Sequence, residues 1–282
     1  MSKKARLAIP HGRLLGPNGN PSRKRRPTVT IGFCHPSTVS AFWADAMFTV
    51  IGKSIQYIDG IISIWSGPKV DEARNDIFRL WLDTKQTDFM FMVDTDMSFP
   101  NDTLDRLLEH DKDIVGGLCF TTDPFLSKVT PTIAVLCPTE DGKNSLEPLW
   151  DYPLDSLVPC DATGAACMLV KRSAAERIRE AKGRDHPMPW FAHGMHGSTR
   201  IGEDIAFCLT ARALGIEVWV DTSLAIGHVK PQFVGQAEYV ISLSRSIHPA
   251  YTEREQVPIY QRMVNGHSSI DGDKPVPVAI PV

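Results

Sequence analysis

Apolar residues fall in short blocks along this chain, and the blocks alternate between two spacings. Residues 28–34 (Thr-Val-Thr-Ile-Gly-Phe-Cys) predict a buried strand. His35-Pro36-Ser37 ends it, and Ser37 is placed to cap a helix over 38–53. Residues 58–65, with Ile61, Ile62, Ile64 and Trp65, predict a second strand. Residues 70–83 carry Ala73, Ile77, Leu80 and Trp81 at helical spacing. The unbroken run Phe89-Met90-Phe91-Met92-Val93 predicts a third strand, buried on both faces. A helix opening at Pro100-Asn101 places Leu104, Leu107 and Leu108 on one side, and 113–119 returns as a strand. Such alternation indicates a parallel, doubly wound sheet in this half.

The second half is more mixed. Strands are predicted over 131–137, 146–150 and 165–170, and a helix from Ser173 to about Lys182. Residues 184–202 look like a loop that exposes Trp190. A helix follows from Glu203 to Leu214, stopped by Gly215. Strands at 216–220 and 224–229 come next, and the Pro- and Gly-rich tail predicts irregular chain. The class is therefore α/β, a Rossmann-like mixed sheet flanked by helices.

Charge refines the domain picture. Residues 1–27 hold eight Lys and Arg and no acid, which leaves 22 basic and 33 acidic residues on the rest of the 282-residue chain. A leader of that composition cannot support a packed core, so we expect it to be solvated and dispensable for chemistry; an arm for an anionic surface or for self-association is the alternative. The expected organisation is a basic leader (1–27), a catalytic domain (28–235) and a C-terminal extension (236–282). Six dispersed cysteines with no CxxC pair argue against structural zinc and for free thiols in a reducing cytoplasm. No apolar run reaches the roughly 20 residues that span a bilayer. Membrane insertion is not expected, and no nucleic-acid partner is either.

Three groups of residues carry chemistry. Asp94 and Asp96 flank Thr95 at the end of the third strand. Side chains at i and i+2 share a face, and at a carboxyl-terminal strand edge that face looks into the ligand crevice. Two carboxylates there suit Mg²⁺ or Mn²⁺; otherwise they start a turn. Glu203-Asp204 opens a helix after Gly202. Either acid favours the helix dipole, and either can take a proton. His228 follows Ala225-Ile226-Gly227, and imidazole joined to two carboxylates favours Mn²⁺ over Mg²⁺. The spacing of His193 and His196 lacks a helical frame and the Glu of a zinc motif, so it is set aside as a metal site.

Asp-Thr-Asp, then Ala162-Thr163-Gly164-Ala165-Ala166, then the Glu203–Gly215 segment and finally His228 form an ordered set. That order resembles the metal-dependent glycosyltransferases of the GT-A fold, family-2-like, and in particular the small bacterial and bacteriophage enzymes. The resemblance covers about 28–230. It implies a nucleoside-diphosphate sugar donor, Mn²⁺ or Mg²⁺ held by Asp94, Asp96 and His228, and Asp204 as base with Glu203 as the less favoured candidate. It further implies donor contacts from Arg74 and Asn75, from Asp94 and Thr95, and from Gly164. His35, Pro36 and Ser37 would receive the nucleotide base, and Trp190 would stack on a sugar. Arg74 would neutralise diphosphate or brace the aspartates; a surface pair with Asp71 is the alternative. The acceptor is a hydroxyl, with virion proteins among the acceptors implied, and an oligomer is compatible. Rival readings are a non-catalytic carbohydrate- or protein-binding module and a nucleotidyltransferase. The latter is disfavoured because Gly32-Phe33-Cys34-His35-Pro36 lacks the expected Lys or Arg.

Overall fold

The computed structural model describes residues 25–123, 128–140 and 142–230. All elements below belong to the compact unit that ends at Val229. Most of the basic leader and all of the 236–282 extension lie outside the described residues. Of the leader, Arg25 pairs with Asp88, and Asp88 also accepts from the Thr28 amide at 2.8 Å.

Seven strands form the central sheet. They are β1 (Val29–His35), β2 (Ile58–Trp65), β3 (Phe89–Val93), β5 (Ile114–Leu118), β10 (Leu157–Cys160), β11 (Cys167–Lys171) and β14 (Val218–Ala225). Their order is β10-β14-β5-β11-β3-β1-β2. The expected parallel run holds for β1, β2 and β3. It breaks where β11 inserts antiparallel between β3 and β5. The sheet is therefore mixed. The break is invisible in β3, because a strand buried on both faces reads the same whichever way its neighbour runs.

Five helices cover the sheet: α1 (Ala41–Ser54), α2 (Val70–Thr84), α3 (Thr103–Glu109), α4 (Arg172–Lys182) and α5 (Glu203–Ala213). Side chains of β3 alternate between two cores. Met90 and Met92 join Ile77, Phe78 and Trp81 of α2, Ile178 of α4 and Phe207 of α5. Phe89, Phe91 and Val93 join Trp43 and Val50 of α1 and Leu104 and Leu107 of α3. Leu80, expected inside, is 41% exposed. On α2 the inward positions are 74, 77, 78 and 81, so Arg74 shares the buried face.

Short ribbons finish the unit. They are β4 (Met97–Ser98) with β15 (Gly227–His228), β6 (Phe120–Asp123) with β7 (Lys128–Pro131), β8 (Ala134–Pro138) with β9 (Asn144–Pro148), and β12 (Gly194–His196) with β13 (Thr199–Ile201). The last pair corrects the expected loop over 184–202. The start of α1 is also later than expected. Ser40, not Ser37, accepts from the Phe42 amide at 3.2 Å, and the Ser40 amide donates to Thr95 O at 3.0 Å. Pro36–Val39 therefore remain an exposed loop at the end of β1.

Candidate active site

Asp94 follows the last residue of β3, at the carboxyl edge of the sheet, where its amide donates to Ala166 O at 2.9 Å. Arg74 reaches it from α2. One guanidinium nitrogen, Nη2, lies 2.8 Å from both Asp94 oxygens. The other, Nη1, donates to Glu203 Oε1 at 2.7 Å. Arg74 is 4% exposed, so a surface pair with Asp71 is ruled out. Burial alone would lower its pKa, but Asp94 outweighs that and holds it above the ordinary value. His193 Nε2 stands 3.8 Å from the second Glu203 oxygen.

Asp204 completes the cluster from the first turn of α5. Its Oδ1 accepts from the Ile205 amide at 2.8 Å. The carboxylate folds back over Gly202, where an added Cβ would sit 2.9 Å from Oδ1. Any side chain at 202 would displace the acid. A Cβ on Gly164 would lie 3.6 Å from Asp204 Oδ2, in ordinary contact. Gly164 thus lies directly beside this oxygen, with Thr132 also within 4 Å of the same point. A helix N-terminus favours an ionised carboxylate. Instead burial pushes the Asp204 pKa up; Arg74 opposes the rise and Glu203 adds to it. Two buried polar atoms in these segments, Arg74 Nε and Thr163 Oγ1, have no partner among the described residues.

Asp96 turns the other way. His228 is brought to it because β15 pairs with β4, with His228 opposite Met97. Its Nε2 lies 3.0 Å from Asp96 Oδ2, and its Nδ1 lies 2.9 Å from Phe120 O. A carbonyl only accepts, so Nδ1 carries a proton. Nε2 then meets a carboxylate, another acceptor. A second proton or a metal cation between them resolves the clash. A carboxylate oxygen with an imidazole nitrogen is a donor set for Mn²⁺, so the pair fits part of a metal site. Among the described residues no group of three or more His, Cys, Asp or Glu could hold a metal ion. Any further ligands must come from elsewhere, and Asp94 is engaged by Arg74.

Two expected donor contacts take structural roles instead. Trp190 is 2% exposed, packs against Phe78 with ring centroids 5.5 Å apart and donates to Ala175 O at 2.9 Å. It is core, not a stacking platform. Asn75 is 1% exposed. Its Nδ2 donates to Asp71 O and Phe191 O, and its Oδ1 accepts from the Trp190 and Phe191 amides. Three of these four bonds fix the Trp190-Phe191 segment. Thr95 is likewise buried.

At the end of β1, His35 Nδ1 binds Pro36 O at 2.8 Å, and Pro36 and Ser37 are exposed. The sequence reading missed the residue opposite His35. Trp65 ends β2 in register with His35 and is 66% exposed. A Cβ on Gly67, a residue at φ +51°, would sit 2.9 Å from its ring. The alternation of 61–65 was the available signal, because it sends Trp65 to the face opposite the buried Ile62.

No family model matches the chain, and no curated protein sequence does. Among solved structures, the crystal structure of A197 from STIV is similar at 16% identity, with 72% of this chain and 86% of that one covered and a TM-score of 0.46. The crystal structure of GalNAc-T7 with UDP, GalNAc and Mn²⁺ is similar at 10% identity, over 73% of this chain and 44% of that one, also with a TM-score of 0.46. Among the described residues, no helix is long and apolar enough to cross a membrane.

Proposed function

We propose that this protein is a metal-dependent glycosyltransferase of the GT-A type, moving a sugar from a nucleoside-diphosphate sugar to an acceptor hydroxyl. One observation carries the reading. A buried arginine joins the Asp-Thr-Asp strand end to the Glu-Asp helix start, 129 residues away from it in the chain. Neither motif is distinctive alone. Their convergence on Arg74, with Asp204 beside Gly164, supports one reaction centre.

In this reading Asp96 and His228 would hold Mn²⁺ or Mg²⁺, which would supply positive charge against the negative charge of the leaving diphosphate. Asp204 takes the acceptor's proton. The acceptor oxygen forms a bond to the anomeric carbon as the bond to the diphosphate oxygen breaks, and that electron pair leaves with the diphosphate. A raised pKa makes Asp204 a stronger base than an ordinary carboxylate. Arg74 keeps Asp94 and Glu203 paired, so Asp204 is the acid of the cluster left to react. Trp65 offers the nucleotide base an aromatic face beside His35.

The test is hydrolysis of a panel of nucleotide sugars with Mn²⁺ present. Release of one nucleoside diphosphate, abolished by chelation, is the expected result. No release from any donor, with diphosphates also failing to bind, would leave a non-catalytic module.

A further inference from the structure

Helix α1 is apolar on both sides. Trp43, Ala46, Met47 and Val50 face the core. The opposite side of an outer helix is normally polar, but here Phe42 is 66% exposed, Phe48 76% and Ile55, just past the helix end, 52%. Ala44 and Ile51 pack partly against the core, whereas Ala41, Phe42, Phe48 and Ile55 are exposed and form an outward apolar seam. Nothing lies within 4 Å of where a Cβ on Gly52 would be. The seam is therefore open to close approach.

The charges on this side identify the occupant. Its exposed polar side chains are Asp45, Thr49 and Lys53. Thr49 spends its hydroxyl on Ala46 O of its own helix. Asp45 and Lys53 stand four residues to either side of Thr49. Such a pattern is its own complement when reversed. A lipid surface would favour a basic helix, and this one balances an acid against a base.

We propose that α1 pairs with α1 of a second copy of this chain, antiparallel about a twofold axis near Thr49. Phe42, Phe48 and Ile55 are buried, and two symmetry-related Asp45–Lys53 ion pairs close the flanks. Such a contact is isologous and stops at a dimer. A helix of this length falls short of the roughly 800 Å² per partner of a standard interface. Val39, 43% exposed just before the helix, and Ile61, 50% exposed on β2, extend it. Among the described residues β2 is the edge of the sheet. The pairing also bears on the crevice. It brings the partner's Ile55 end beside Phe42 and Val39, and the first turn of α1 is tied to the Asp-Thr-Asp segment through Ser40 and Thr95. The proposal stands independently of the reaction.

Sedimentation equilibrium of the full chain tests it. At about 10 µM, where a standard-size interface is occupied, the expected mass is twice the 31.2 kDa of one chain. Phe48→Glu, at an exposed position, should give the single-chain mass with an unchanged circular dichroism spectrum. Asp45→Lys should raise the dissociation constant about tenfold, and Lys53→Asp added to it should restore the wild-type value. A wild-type monomer overturns the proposal, including one that co-sediments with lipid vesicles. So does a double variant no tighter than Asp45→Lys alone.

Discussion

Arg74 and Arg172 are both largely buried, and they meet opposite surroundings. Arg172 lies under the end of α2. Its guanidinium donates to the carbonyls of Trp81, Leu82, Lys85 and Thr87, and it stacks over the Trp81 ring at 5.2 Å. The carbonyls of Trp81 and Leu82 belong to the last turn of α2, the negative end of its dipole, and this one cation completes them while meeting a single carboxylate, Glu176, at 3.2 Å. Arg74 meets Asp94 and Glu203, with Asp204 adding to the field. Three acids around one base leave negative charge unbalanced. A chain built only for stability would not bury that excess, because unpaired buried charge costs several kcal/mol. The comparison teaches how to separate a structural arginine from one at a site: the former closes its local charge balance and the latter leaves it open for a ligand.

The largest expected effect falls on the open side. Asp204→Asn is nearly isosteric and removes the base. Transfer should fall by about 10²-fold or more, with donor binding retained. Single-turnover rates and donor titrations measure the two separately. If Glu203→Gln is inactive while Asp204→Asn transfers normally, the roles of the two acids are reversed.

On the closed side the effect is on folding. Arg172→Met removes the hydrogen bonds that finish α2 and should cost about 2–3 kcal/mol of stability, read by urea denaturation. Turnover per folded molecule should not change. A large loss of turnover with unchanged stability would erase the distinction between the two arginines.

Much of this was legible in the sequence, for identifiable reasons. The strand over 89–93 was read correctly because a five-residue apolar run ending in polar residues leaves little choice. The start of α5 was legible because Gly202 and Glu203-Asp204 together make a helix opening. Arg74 was placed near the donor by resemblance; its burial could have been derived from Ile77, Phe78 and Trp81 at three, four and seven residues. Trp190 was misjudged because its segment is polar and rich in Pro and Gly, and what buries it is Asn75, 115 residues away. Local pattern carries no trace of such a bracket. The antiparallel entry of β11 was hidden for the same reason, since strand direction is set by partners distant in sequence.

A smaller contrast repeats the first among the carboxylates. Asp221 is 2% exposed. Burial alone would raise its pKa, but bonds from Ser223 and His110 outweigh it and hold the carboxyl below the usual range. A depressed folded pKa adds stability above the unfolded value, and that stability is lost as pH falls through the folded value. Asp204 has the opposite sign: its raised pKa means stability is lost as pH rises through the folded value. At neutral pH, Asp221→Asn should therefore lower the melting temperature and Asp204→Asn should raise it. The Asp221→Asn deficit should shrink in acid below the usual carboxylate range. Shifts of the same sign would show that the two acids do not differ as described.

The measurement that tests the central claim most directly is calorimetric titration of nucleoside diphosphates into the wild-type chain and Asp96→Asn, with and without Mn²⁺. We predict that one diphosphate binds the wild type and needs the metal. Asp96→Asn should weaken that binding by about tenfold or more while its melting curve stays in place. Equal binding by the two proteins, or binding indifferent to Mn²⁺, would contradict a metal-dependent donor site at the end of β3.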